Sequence, residues 1–577
     1  MLGLFLTLSL QWYHNGDQIN TYFHQSNNYL YVVYYLAVIL GLISLAYFGW
    51  RLPDEDRRDR LDMLFLMLFF LSTSLLYVGS FHPVLAPNGD NAEYIINARS
   101  IIEHGGVYRL DTPARTPNTL ASPGLPILLA PIYKIWGLNF YPMKMMILLI
   151  CLANGGLLFI LFRQEFSFVR SALLSMIAFC SPYLVANSNT IMTEGPYLFW
   201  SLLSLIFIRK YASHPDFYWR YYFPLIFFLL GSYLTRAVGA SLIIASALFL
   251  FFNLPAKGLL PVPGRAGRRG LLKLLWLILP FIAGFVFWLI RQQKGGVTPL
   301  SIFMEFDFLG HFRDNMVAFA NVVGQIFFSP SSFRWYKQSS DFSLSIFNLG
   351  WLLILLLLLS AIIYDLIRRK LLAFYSVILL LLLLFASQTP QEKVFMRYLS
   401  VLIPFFIYHL HSILHAMESW VRNSKKPIPS VPVPIITIAL LGIIYVTNLS
   451  SNRYNVLTKS AVFNSYYGSF LNAAQWCGEN LPPDAYVMSV KPRIVYLYSD
   501  LPGRFLVNDR DVYSTDFEKK KLQEIKDSGV THIIVDAISR ATIDNIHPII
   551  QNNPDKFEKL AVPGLEEKCT VVRVRQF

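Results

Sequence analysis

The stretch YLYVVYYLAVILGLISLAYFGW, from Tyr29 to Trp50, carries no charged residue, and LDMLFLMLFFLSTSLLYVGS, from Leu61 to Ser80, carries only Asp62. Such segments leave little choice of fold. In hydrocarbon every backbone N–H and C=O must be paired within the structure, and a run of about 20 apolar residues manages that as a helix. Further apolar runs start near Lys144, Ser171, Gly195, Tyr221, Val238, Leu274, Phe347, Leu371, Ser400 and Val431. The sequence therefore predicts a polytopic α-helical membrane protein of about 12 transmembrane helices, with about 11 to 13 allowed because several runs are short or lie end to end. Composition agrees. Charged residues are 15% and hydrophobic residues 55% of the 577, whereas soluble domains carry roughly 25% charged residues. The first twelve residues, MLGLFLTLSLQW, are too short to span and lack the basic start of a signal peptide.

The net charge of +14 invites a nucleic-acid reading, but no basic run is interleaved with aromatics as a single-strand channel would be, so nucleic acid is not an expected partner. The basic residues instead cluster in alternate loops: Arg51/Arg57/Arg58/Arg60, Arg163/Arg170, Arg209/Lys210, Lys257/Arg265/Arg268/Arg269/Lys273, Arg368/Arg369/Lys370 and Arg422/Lys425/Lys426. The positive-inside rule makes these cytoplasmic. The intervening loops, 81–142, 188–194, 292–345 and 388–397, are then extracytoplasmic. The chain divides into a transmembrane part, residues 1–450, and a soluble extracytoplasmic tail, residues 451–577. LPAKGLLPVPGRAGRRG reads as a cytoplasmic linker. No internal repeat is present.

The tail alternates helix and strand. SFLNAAQWCGENL and DFEKKKLQEIKDSG are helical, while AYVMSV, GRFLVN, THIIVDA and TVVRVRQF are strands, giving a small α/β domain large enough to own a core. Cys477 and Cys569 fall in this region and could pair only if it is extracytoplasmic.

Charges beside apolar runs need a reason. In NGDNAEYIINARSI, Asp90 and Glu93 are three residues apart, so a helix here puts both carboxylates on one face, with Ala92, Ile95, Ile96 and Ile101 supplying a buried side along the membrane surface. Two explanations fit the acids: complements to the helix macrodipole, or a general base partly screened from water. Prolines 117, 123, 126 and 131 prevent a regular span through TPNTLASPGLPILLAPIYKIWG and favour a folded-back surface segment. Glu194 in MTEGPY stands at the outer mouth of two spans, with Pro196 just after it, a placement that helix capping alone would explain. Arg236 in SYLTRAVGA and Arg397 in FMRYLSVLIPF are single cations at the edges of apolar runs. They are either snorkelling side chains or a clamp on a lipid-linked phosphate, which suits the planar guanidinium fork. Asp307 and His311 share an i, i+4 spacing, but two candidate ligands in a loop do not make a metal site. No Gly-rich phosphate loop, HExxH or GxSxG is present.

Taken in order, GDNAEYIINARSI, GVY, TPNTLASPGLPILLAPIY, TEGPY, YLTRAVG and RYLSVLIPF resemble the GT-C membrane glycosyltransferases, closest to the protein O-mannosyltransferase and aminoarabinose transferase branch. The stretch LNAAQWCGENLPPDAYVMSVKPRIVYLYSD looks like the extracytoplasmic α/β domain appended to many bacterial members. The resemblance covers most of the chain. It implies a polyprenyl-phosphate-linked sugar donor, an extracytoplasmic acceptor (protein, lipid or envelope glycan), and a bacterial inner or cell membrane as the location. It implies that Asp90 is the catalytic base. Many members carry an adjacent Asp-Glu pair; here Asn91 takes the second place, and Glu93, two places on, is either its substitute or a packing residue. Glu194 matches the acid of the second outer loop, and Arg236, Lys393 and Arg397 become candidates for the donor phosphate. No cofactor is required; a divalent metal is compatible but unsupported by the sequence. The competing functions are a polytopic transporter, which would place ionisable groups near mid-membrane on broken helices, and a non-catalytic, flippase-like scaffold for envelope glycans, which would not need Asp90.

Overall fold

The computed structural model describes residues 16–51, 60–87, 89–118, 122–214, 218–253, 272–282, 308–328, 346–386, 392–423, 432–457, 465–506, 517–539, 541–564 and 569–575. The basic linker, the first twelve residues, Asp307, and the side chains of His311 and Lys393 lie outside the described residues.

Among the described residues, each predicted apolar run falls in a helix. The helices Gly16–Arg51, Arg60–Ser80, Phe140–Phe162, Phe168–Phe179, Glu194–Ser213, Trp219–Thr235, Ala240–Asn253, Ile346–Ile367, Leu371–Ala386, Ile403–Asn423 and Pro432–Leu457 are joined by a further apolar helix, Leu272–Ile282. Four helical stretches among the described residues are long and apolar enough to cross a membrane: Leu30–Arg51, Arg60–Ser80, Phe140–Phe162 and Phe395–Trp420. Their burial is one-sided. Met63, Met67 and Leu71 are exposed on the second of these, while Leu66, Phe69 and Leu76 are buried, the pattern of a helix with one face to protein and one to lipid. Small residues allow close approach. A Cβ on Gly41 would stand 2.2 Å from the Tyr445 hydroxyl and 2.8 Å from Ser72 Oγ, so helices Gly16–Arg51, Arg60–Ser80 and Pro432–Leu457 meet there.

Three of the basic clusters predicted to share a side meet, those at Arg163/Arg170, Arg209/Lys210 and Arg368/Arg369/Lys370. Glu165 pairs with Arg209 and with Lys370 at 3.4 Å, and Arg170 pairs with Glu418 at 3.1 Å. Nearby, Asp365 is buried and held by His409 at 2.7 Å, by Ser412 at 2.7 Å and by Lys370 at 3.1 Å. A buried carboxylate requires such partners, because an unpaired one would cost several kcal/mol, of order 3–5. The segment expected as a plain loop over 292–345 contains a 21-residue helix, Phe308–Phe328, whose Asn315 donates to the Leu384 carbonyl at 3.0 Å.

After the last long helix the chain forms a five-stranded sheet: β1 (Val487–Ser489), β2 (Gly503–Phe505), β3 (His532–Asp536), β4 (Phe557–Lys559) and β5 (Cys569–Val574), in the order β2-β1-β3-β5-β4. β1 runs parallel to β2 and β3, and β5 antiparallel to β3 and β4. All five residues of β3 are buried, as its continuous apolar run requires of a central strand. The helices Ser465–Asn480 and Phe517–Ser528 are the two predicted; Pro492–Ser499 and His547–Asn552 were not anticipated. Cys477 and Cys569 are buried and unpaired. Burial pushes the Cys477 thiol up to about 12, so it is protonated and unreactive at neutral pH.

Candidate active site

Asp90 is the second residue of the helix Gly89–His104. The helix is fixed by a buried side of Ala92, Ile95, Ile96 and Ala98 and closed by Gly105, whose φ of +68° and N–H bond to the Ile101 carbonyl at 3.1 Å make a left-handed C-terminal cap. The following proline-rich stretch folds as the 13-residue helix Gly124–Trp136. At 1.5 Å per residue that is about 20 Å, too short to span.

Glu194 opens the helix Glu194–Ser213, with Pro196 in the first turn, where its missing N–H costs nothing. A Cβ on the next residue, Gly195, would stand 2.4 Å from Cys151 Sγ, and Asn154 Nδ2 donates to the Gly195 carbonyl at 3.1 Å. This close approach seats the carboxylate in the protein, where only 1% of the side chain is exposed.

Arg236 stands at a break. Trp219–Thr235 ends, Arg236 is extended at φ −150° and ψ 137°, and a short 3-10 turn, Ala237–Gly239, leads into Ala240–Asn253. Gly239 packs so tightly against the preceding turn that a Cβ would meet Tyr233 Cα at 2.7 Å. Arg397 sits on the helix Glu392–Leu399, which passes through the turn Ser400–Leu402 into Ile403–Asn423. Pro404 cannot donate its part of a continuous helical ladder.

These four elements bring Asp90, Glu194, Arg236 and Arg397 together. Arg397 uses two nitrogens of one guanidinium: Nη1 lies 2.9 Å from Asp90 Oδ2, and Nε 3.0 Å from Glu194 Oε1. The same Glu194 oxygen lies 2.8 Å from Arg236 Nη1, and the Arg236 guanidinium stacks 4.4 Å above the Tyr398 ring. Exposure is graded: Asp90 46% and Arg397 36%, against Arg236 9% and Glu194 1%. The buried acid and arginine form the foundation, and the exposed acid and arginine face outward from it. Sequence reasoning missed Tyr398, and also Tyr94, whose hydroxyl bonds with Thr193 beside Glu194 and whose phenol burial pushes up. Both lie in stretches quoted above, GDNAEYIINARSI and RYLSVLIPF, where the neighbouring charges drew the reading instead.

Glu93 is not in this set. Its partners are different ones: Glu93 Oε2 lies 2.7 Å from Arg493 Nη1, and Oε1 accepts from Asn118 Nδ2 at 3.0 Å. Asp90 is at the helix terminus, where its side chain turns toward Arg397, while Glu93 is drawn to the tail. Lys393 belongs to the Arg397 helix. Among the described residues, no group of three or more His, Cys, Asp or Glu side chains is arranged to hold a metal ion.

The sequence matches no protein-family model and no curated protein. Solved structures do match. ArnT from Cupriavidus metallidurans in the apo state aligns with a TM-score of 0.51 at 14% identity, over 88% of this chain and 97% of that one. The archaeal oligosaccharyltransferase AglB from Archaeoglobus fulgidus, in complex with an inhibitory peptide and a dolichol-phosphate, aligns with a TM-score of 0.50 at 13% identity, over 82% and 70%. The chain has the GT-C fold. At these identities the likeness concerns architecture. Within the GT-C fold of this chain, a single guanidinium joins the first-loop aspartate to the buried glutamate of the Glu194 helix.

Proposed function

We propose that the protein is an integral membrane glycosyltransferase that moves a sugar from a polyprenyl-phosphate donor to an acceptor hydroxyl on the extracytoplasmic side, with inversion at the anomeric carbon. The observation that carries this reading is the convergence of Asp90, Glu194, Arg236 and Arg397, four ionisable residues from separate elements, at one place. A scaffold has no need of an exposed carboxylate braced by a buried ion pair. A transporter's ionisable groups belong at mid-membrane between repeated halves. The AglB structure with the same fold holds a dolichol-phosphate, a lipid phosphate of the class proposed here. The topology expected from the sequence, about twelve spans with basic loops inside and the tail outside, supports a site on the same face as the acceptor.

In this mechanism Asp90 takes the proton of the acceptor hydroxyl as that oxygen attacks the anomeric carbon. The new glycosidic C–O bond forms while the bond from the anomeric carbon to the donor phosphate breaks. Its electron pair leaves with the polyprenyl phosphate. Arg397, the exposed arginine, faces the charge developing on that phosphate, and Lys393, on the same helix, is the further candidate. Arg236 acts through Glu194, fixing the anion against which Arg397 is oriented. Glu194, shut from solvent, holds the arginines and takes no proton from the acceptor.

The test uses purified protein with a panel of labelled polyprenyl-phosphate sugars and an envelope glycan extract. Label should pass from at least one donor into the acceptor fraction, and Asp90→Asn should abolish the transfer. Transfer by the variant at the wild-type rate would remove the base assignment, and no transfer from any donor by the wild type would remove the enzymatic reading.

A further inference from the structure

The Asp90 helix is held at a second point, at Glu93, by a residue 400 positions further along the chain. Arg493, at the start of the eight-residue helix Pro492–Ser499, places Nη1 2.7 Å from Glu93 and Nε 3.7 Å from the buried carboxylate of Asp111. The backbone carbonyl of Asp111 in turn accepts from the Gly503 N–H at 2.9 Å, where β2 begins. One guanidinium therefore ties the tail helix Pro492–Ser499 to the Asp90 helix and to the turn that follows it, and the Asp111 backbone joins that turn to β2. Further along the same helix Arg99 pairs with Asp500 of the tail and lies 5.7 Å from the Tyr496 ring centroid. Before the helix, the Tyr467 hydroxyl donates to the Leu85 carbonyl at 2.9 Å.

The apolar side of the Asp90 helix sets how deep it lies. Apolar contact is non-directional and does not by itself fix the helix along or about its axis. Directional contacts do that, and the tail supplies two of them, at Glu93 and at Arg99. Exposed ion pairs are worth little singly, but Glu93 and Arg493 keep only 24% and 30% of their side-chain exposure, and each has a second partner. The pair is a geometric restraint.

We propose that Arg493 is a positioning residue: acting through Glu93, it fixes the register of the helix Gly89–His104 and so holds the Asp90 carboxylate against Arg397. This rests on Asp90 being the proton acceptor in sugar transfer. Misplacing a reacting group by 1 Å costs up to about 10²-fold in rate, so a latch remote from the chemistry is felt in kcat.

The experiment uses the full-length protein in nanodiscs, with Arg493→Ala, Arg493→Lys, Glu93→Gln and the double variant Arg493→Ala/Glu93→Gln. Hydrogen exchange should quicken in peptides covering 89–104 for Arg493→Ala and stay at the wild-type rate in peptides covering 194–213. Transfer should show kcat down about tenfold with donor KM within about twofold. The double variant should be no worse than either single one, since both break the same contact, and Arg493→Lys should recover part of the loss. Unchanged exchange over 89–104 overturns the proposal. So do losses that add in the double variant, or a Glu93→Gln loss far beyond that of Arg493→Ala, which would make Glu93 a reacting group in its own right. If the wild type transfers no sugar, the exchange result still decides: quickened exchange upholds the latch and leaves only the sugar-transfer reading refuted.

Discussion

Arg397 Nη1 lies 2.9 Å from Asp90 Oδ2 while its Nε lies 3.0 Å from Glu194 Oε1, so one planar side chain spans an exposed carboxylate and a buried one. The exposed acid is thereby oriented by a group whose own position is fixed by the protein interior. Such an arrangement makes the order of importance among the four charges testable.

Asp90→Asn keeps the shape of the side chain and an oxygen for Arg397 but cannot take a proton. With 46% of the Asp90 side chain exposed, the swap should alter stability by about 0.5 kcal/mol or less. Transfer should fall by roughly 10²–10⁴-fold, the usual contribution of general base catalysis. Thermal melts and turnover on the same preparations check both halves.

Arg397→Ala should weaken use of the lipid donor by about tenfold or more, equivalent to about 1.4 kcal/mol of binding. Arg397→Lys should recover little of this, because one ammonium cannot occupy both the Nη1 and the Nε position of the fork. Donor titrations of the two variants decide the point: a lysine variant with wild-type affinity would show that charge alone is needed.

Much of the fold was legible because a long apolar run has a single stable backbone solution, and the described residues of each run predicted from the sequence lie in a helix. Asp90, Glu194, Arg236 and Arg397 were legible for the opposite reason: a charge beside apolar sequence needs a partner. The destination of Glu93 was hidden. Its i, i+3 spacing to Asp90 places both on one side of an ideal helix, but the partner that claims it, Arg493, sits in PRIVYLYS, eight residues. A helix that short is marginal in isolation and leaves no periodic signature. The helix Phe308–Phe328 was also missed, because its opening FLGHFRDN reads as polar loop while its stability comes from packing.

Glu194→Gln should destabilise the protein by about 3–5 kcal/mol, because it leaves the Arg236 guanidinium buried without its anion. Adding Arg236→Met should restore part of the loss, since the double variant buries neither charge and a thioether packs well on the Tyr398 ring. Melting temperatures in a fixed detergent compare the three proteins. A double variant less stable than Glu194→Gln alone would mean that Arg236 is held chiefly by Tyr398 and not by the carboxylate. Activity should not return with stability, because Arg397 has lost its anchor in both variants.

Gly124 opens the helix Gly124–Trp136 against the end of Trp219–Thr235, one residue before Arg236. A Cβ there would stand 2.6 Å from the Thr235 backbone nitrogen and 2.7 Å from the Leu234 carbonyl carbon. Those are backbone atoms, which cannot swing aside as a side-chain end would, so Gly124→Ala must push the two helices apart at the base of Arg236. Overpacking of this kind costs about 1–3 kcal/mol, and the displacement passes through Arg236 to Glu194 and Arg397. Gly156 supplies the control: it lies within the helix Phe140–Phe162, and a Cβ on it meets nothing within 4 Å. Gly156→Ala should therefore keep transfer at the wild-type rate and raise stability by about 0.4–1 kcal/mol through a less flexible unfolded chain. Gly124→Ala should lower the melting temperature and the transfer rate together. Wild-type transfer by Gly124→Ala would show that the Arg236 break tolerates displacement and that the buried ion pair does not set the geometry of Asp90.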